Sequence, residues 1–90
     1  MSTVHLHIQG RVQGVFFRAS AKEVADKLGV KGWIKNSWDD DVEAIISGNE
    51  EAVQQFIQWC WRGPQKAVVT NVIVTTKEET TFKDFSVIRH

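Results

Sequence analysis

Apolar and polar residues alternate from the start of the chain. Val4, Leu6 and Ile8 are separated by His5, His7 and Gln9. A period of two predicts a strand with one buried face. After a short glycine loop, Ala21, Val24, Ala25 and Leu28 fall at i, i+3, i+4 and i+7, the spacing of one helix face. Gly29 suits the position just past that helix, because glycine takes φ > 0 without a Cβ clash. The helix start has two candidates. Ser20 and Glu23 have the spacing of a capping box, whereas the apolar run before them lets the helix begin nearer Phe17.

Gly32-Trp33-Ile34-Lys35-Asn36 and Val42-Glu43-Ala44-Ile45-Ile46 predict two strands. The polar turn Ser37-Trp38-Asp39-Asp40-Asp41 between them makes a hairpin. Gly48 closes it. Asn49 is placed to cap a second helix, with Glu50 and Glu51 favourable at its positive end. Val53, Phe56, Ile57 and Cys60 repeat the helical spacing, and Gly63-Pro64 stops it. Ala67 to Thr76 is β-branched and extended, with Val72 and Val74 in phase. A charged loop, Lys77 to Thr81, precedes a short final strand marked by Phe85 and Val87. The order β-α-β-β-α-β plus a short C-terminal strand predicts a ferredoxin-like α+β sandwich. Two helices cover one face of a mainly antiparallel sheet. Residues 1–90 read as one domain.

Composition narrows the function. Lys+Arg and Asp+Glu are 11 each, a formal net charge of zero, without the basic footprint of a nucleic-acid binder. No apolar stretch approaches the roughly 20 residues of a membrane span. The lone Cys60 offers neither a disulfide nor a metal-ligand pair. The first residues lack the basic and apolar regions of a signal peptide. A cytoplasmic protein is expected, acting as a monomer, with no nucleic-acid or membrane partner.

The segment Gly10-Arg11-Val12-Gln13-Gly14-Val15-Phe16-Phe17-Arg18 carries the chemistry. Glycines let several backbone N–H groups point to one place. A helix start adds unpaired N–H groups and a positive dipole end, and Arg18 adds a planar fork of donors. These parts suit a phosphate. Taken alone, however, such a loop also serves as an ordinary turn, Arg18 as a surface cation, and Asn36 as a strand-end residue bonding local backbone.

Together with Gly32-Trp33-Ile34-Lys35-Asn36, Asp39, Val42-Glu43, Gly48, Gly63-Pro64, Ala67 and Phe85, this segment closely resembles the acylphosphatase family. The resemblance implies a small ferredoxin-like enzyme that hydrolyses the carboxyl–phosphate anhydride of acyl phosphates to a carboxylate and phosphate. It implies that Arg18 binds the phosphoryl group with backbone N–H groups of the loop, drawn from Arg11, Val12, Gln13, Gly14, Val15, Phe16 and Phe17. It implies that Asn36 orients the attacking water, and that no metal or cofactor takes part. The chain departs from the family in the hairpin, where Asp39-Asp40-Asp41 replaces the usual Asp-Gly. A positive φ at Asp40 would then be strained. The competing expectation is a phosphoanion-binding regulatory domain of the same fold without turnover.

Other residues take blander roles. His5 and His7 share a strand face but lack an evident third metal ligand, so exposed or hydrogen-bonded histidines are expected. The three aspartates read as a solvated turn. Cys60 is expected in the core, Trp33 against the sheet, and Trp59 and Trp61 half-buried beside the second helix's apolar stripe. Trp38 is expected either to cover a substrate's acyl group or to pack on an edge.

Overall fold

The computed structural model describes residues 1–89 and places each expected element in order. They are β1 (Ser2–Arg11), α1 (Phe17–Leu28), β2 (Lys31–Asn36), β3 (Val42–Gly48), α2 (Glu50–Arg62), β4 (Val68–Lys77) and β5 (Phe85–Ile88). The strands form one sheet in the order β4-β1-β3-β2-β5. All neighbours are antiparallel except β2 and β5. Strands β1 and β2 both flank β3 and run parallel to each other, so α1 is the crossover between them. The result is the ferredoxin-like sandwich that the element order predicts. No helix among the described residues is long and apolar enough to cross a membrane.

The alternation in β1 translates directly into burial. Val4, Leu6 and Ile8 lie under the helices, while His5, His7 and Gln9 are half-buried on the other face. Ile34, Val42, Ala44 and Ile46 extend the same core from β2 and β3. Helix α2 buries Val53, Phe56, Ile57 and Cys60, the four residues of its predicted stripe. Full burial of side chains such as Phe56 contributes roughly 1.5–3 kcal/mol each. Helix α1 is seated more shallowly. Phe17, Ala21 and Ala25 are buried, whereas Val24 and Leu28 pack at the margin.

Of the two candidate starts the first helix takes Phe17, so Ser20 and Glu23 form no capping box. Two other expectations change. On β4, Val72 is buried but Val74 is exposed, because β4 is an edge strand with no further strand beside it. Trp59 is half-buried, its ring 5.2 Å from Phe17 and 6.2 Å from Phe56. Trp61 is instead 48% exposed, having rotated past the stripe.

The strand before the glycine loop is bent by a register shift between Gln9 and Gly10. Gly10 has φ 127°, and a Cβ there would collide with the Val68 carbonyl oxygen. Only glycine allows this bulge, after which β1 still pairs with β4 through Arg11 against Val68.

The β2–β3 turn keeps the expected geometry. Asp40 has φ 70°, and the turn is closed by the Ser37 N–H donating to the Asp41 carbonyl at 2.8 Å. A residue with a Cβ in this region carries about 1 kcal/mol of strain. Asp40→Gly removes it, partly offset by the greater freedom of the unfolded chain, for an expected net stabilisation of about 0.5–1 kcal/mol. Paired thermal melts should show a rise of a few degrees in Tm.

Candidate active site

Two buried side chains hold the glycine loop at its ends. Val12 and Phe17 are each 1% exposed. Between them the chain passes through two left-handed residues, Gly14 at φ 72° and Phe16 at φ 64°. For Phe16, which has a Cβ, this conformation costs roughly 1–2 kcal/mol, yet its ring stands 78% exposed. Phe16 occupies the N-cap position of α1 and makes no side-chain cap; the first turn of α1 contains no acidic residue. Helix α2 is the reverse case. Asn49 accepts a hydrogen bond from the Ala52 N–H at 2.8 Å, and Glu50 and Glu51 occupy its first turn. Nothing in the first turn of α1 therefore competes with an external anion for its N–H donors and positive dipole end.

Arg18 follows on the first turn of α1. Its Nη1 donates to the Ile88 carbonyl of β5 at 3.4 Å. Arg18 and Asn36 line one cavity of about 640 Å³, together with Lys35, Ser37, Trp38, Glu43 and Arg89. Asn36 is the last residue of β2. Its Oδ1 is buried and has no hydrogen-bond partner among the described residues. Leaving such an acceptor unpaired costs about 1–3 kcal/mol.

Gln13 has a side-chain role that its place in the loop did not reveal. Its Nε2 donates to two carbonyls of the β2–β3 turn, Ser37 O at 3.0 Å and Asp41 O at 2.8 Å. The loop is thereby tied to the segment that carries Asn36. The linear sequence gives no sign of this pair, because an amide can bond any carbonyl within reach.

The turn also gathers His7. Its Nε2 lies 2.7 Å from Asp41 Oδ2 and 3.6 Å from Asp39 Oδ2. Sequence spacing showed no partners for His7, but pairing of β1 with β3 brings the turn to it. The three groups form the one His/Asp cluster of ligand-like atoms among the described residues, and their mutual hydrogen bonding accounts for their closeness. Ser37 donates its hydroxyl to Asp39, which holds the Asp39 carboxyl below the usual carboxylate range. His5 pairs with Glu43 at 3.4 Å, and Glu43 also forms an ion pair with Lys35 at 3.3 Å. Trp38 does not pack on an edge. It projects from the turn, 96% exposed, at the cavity mouth. Cys60 is buried in the core, and loss of hydration pushes its thiol pKa far up, so it is no nucleophile.

The family profile Acylphosphatase matches residues 4–87. The chain is 46% identical over 78 residues to an acylphosphatase of Thiobacillus denitrificans, covering 87% of this chain and 88% of the relative. It is 44% identical over 90 residues to one of Pyrobaculum aerophilum, covering 98% and 95%. The solved acylphosphatase of Bacillus subtilis superposes with a TM-score of 0.95 at 34% identity, covering 99% of this chain and 100% of that one.

Truncating the loop-to-turn tie should separate its two effects. Gln13→Ala is expected to destabilise the fold by about 1–2 kcal/mol in urea unfolding, the net contribution of two hydrogen bonds. It should also weaken competitive inhibition by phosphate several-fold, because the loop loses its fixed distance from Asn36.

Proposed function

The chain belongs to the acylphosphatase family and hydrolyses acyl phosphates, and on that premise we propose how its residues carry the reaction. Arg18 and the backbone N–H groups of the loop, within Arg11 to Phe17, hold the three phosphoryl oxygens. Asn36 holds the attacking water, its Oδ1 accepting a hydrogen bond from that water. The observation that carries this reading is the buried, unpartnered Oδ1 of Asn36 in a cavity shared with Arg18.

In this mechanism the water oxygen forms a bond to phosphorus while the bond from phosphorus to the acyl oxygen breaks. The acyl oxygen leaves with the bonding pair as a carboxylate, and a water proton passes to a phosphoryl oxygen. A carboxylate is a good leaving group, so no strong general acid is required. The transition state is loose, with charge spread over the phosphoryl oxygens. Preorganised donors in the loop and on Arg18 then supply most of the stabilisation. The absence of an acid in the first turn of α1 supports this arrangement, since a carboxylate there would repel the phosphoryl group. The tie from Gln13 to the turn supports it too, because positioning between water and phosphorus is the main remaining requirement.

The test is phosphate release from benzoyl phosphate and acetyl phosphate by the purified protein against a no-enzyme control. Arg18→Gln should abolish phosphate inhibition and lower kcat/KM by at least the ~10²–10³-fold typical of losing one transition-state donor. Near-normal turnover by this variant would remove Arg18 from the role.

Asn36→Ala should behave differently. Its kcat should fall sharply while inorganic phosphate still inhibits competitively with little change in affinity. Lost phosphate binding with kcat retained would reverse the assignment.

A further inference from the structure

We propose that His7 is a positioning residue of the reaction: from β1 it clamps the carboxylate of Asp41, and so fixes the turn beside Asn36. This rests on the assignment of Asn36 to the water. Asn36 ends β2, and residues 37–41 form the turn before β3 begins at Val42. Bonds inside the turn give it its shape. The Ser37 N–H donates to the Asp41 carbonyl at 2.8 Å, the Ser37 hydroxyl donates to Asp39, and the Asp41 N–H donates to Asp39 Oδ1 at 3.4 Å. None of these bonds holds the turn against the rest of the molecule. The turn also works against itself, with Asp40 left-handed and three neighbouring carboxylates repelling one another.

Among the described residues, two side chains from outside bond the turn, and both meet at Asp41. Gln13 of the glycine loop donates to its main-chain carbonyl at 2.8 Å. His7 of β1 places Nε2 2.7 Å from its Oδ2. One residue is thus held from two directions, by the loop assigned to the phosphoryl group and by the sheet. Asp41 in turn holds the N–H of Ser37, the neighbour of Asn36 in the chain. Fixing Asp41 therefore fixes the backbone from which the Asn36 side chain is aimed. A displacement there changes the gap between water and phosphorus, on which attack depends.

Strand register makes His7 the residue for this contact. In the β1–β3 ladder His7 stands opposite Glu43. Asp41, two residues before Glu43, is then its diagonal neighbour on the open face of the sheet, within reach of a long side chain. Glu43 itself is taken by His5 and Lys35, which leaves His7 to the turn. The contact is partly shielded, the two side chains being 26% and 16% exposed. An ionised carboxylate only accepts hydrogen bonds, so Nε2 is the donor, and it donates whether or not the ring carries a second proton.

The readouts are kcat for benzoyl phosphate and the inhibition constant of inorganic phosphate, with thermal melts to show that each variant is folded. His7→Leu removes the donor, and its kcat should fall about tenfold, a fraction of the ~10²-fold that a 1 Å misplacement can cost. Its phosphate inhibition should stay within about twofold of wild type, because the donors assigned to the anion are untouched. His7→Gln carries an amide N–H near the place of Nε2 and should restore most of the kcat. Asp41→Ala should reproduce the loss, and His7→Leu combined with Asp41→Ala should lose no more than either alone, since each breaks the same contact. Wild-type kcat in His7→Leu, with kcat still lost in Asn36→Ala, overturns the clamp and spares the water assignment. Equal losses in His7→Leu and His7→Gln, or losses that multiply in the combined variant, also overturn it, because the donor is then not the cause. So does a His7→Leu protein whose phosphate binding falls as far as its kcat, the mark of a loosened fold. Retention of kcat in Asn36→Ala is the separate failure of the underlying reading.

Discussion

The site as proposed depends on keeping a set of backbone donors unpaired without letting the segment that bears them move. Ordinary folding pressure acts against this, because buried N–H groups without partners are expensive. The chain meets the constraint by fixing the two ends of the loop through side chains and leaving the middle free. Val12 and Phe17 are sunk into the core, Gly10 bends the strand at a bulge just before the loop, and Gln13 ties the loop to the β2–β3 turn. Each anchor uses a side chain or a bend, so none consumes an N–H group between Gly14 and Phe17. The apolar core therefore does more than stabilise the sandwich; it sets the position of the donors.

The two helices show how one architecture treats equivalent ends differently. Helix α2 carries Asn49 and two glutamates at its start and is electrostatically complete. Helix α1 has Phe16, a left-handed backbone and no acid. The α2 arrangement serves stability alone. That of α1 gives up local stability at the place where an anion can complete it, and the neighbouring arginine strengthens the same field.

Much of the fold was legible because burial follows simple periods. Leu6 and Ile8 lie where alternation puts them, and Phe56 and Cys60 where a helical stripe puts them. The left-handed position at Asp40 was legible as well, from the turn pattern of the family the chain resembles. What failed depended on neighbours that a linear pattern does not describe. Val74 has the right phase but lies on an edge. His7 lacked partners in sequence and found Asp41 through strand pairing. Resemblance pointed to Arg18 and Asn36, and the fold brings them to one cavity. The bridging amide of Gln13 carried no signal, since its role is set by two carbonyls on another element.

The hydrogen bond from Arg18 to the Ile88 carbonyl joins residues 70 apart in the chain. It also depends on the only parallel strand pair of the described sheet, β2 with β5. Contacts of such long range require the closure of a large loop and slow the search for the native state. The guanidinium thus gains its support only when β5 has docked. Helices and the β2–β3 hairpin can be in place before that moment while the anion site is still loose. On the proposed reading, the anion site is therefore complete only while the C-terminal strand is docked, and its integrity is tied to the far end of the chain rather than to its neighbours in sequence.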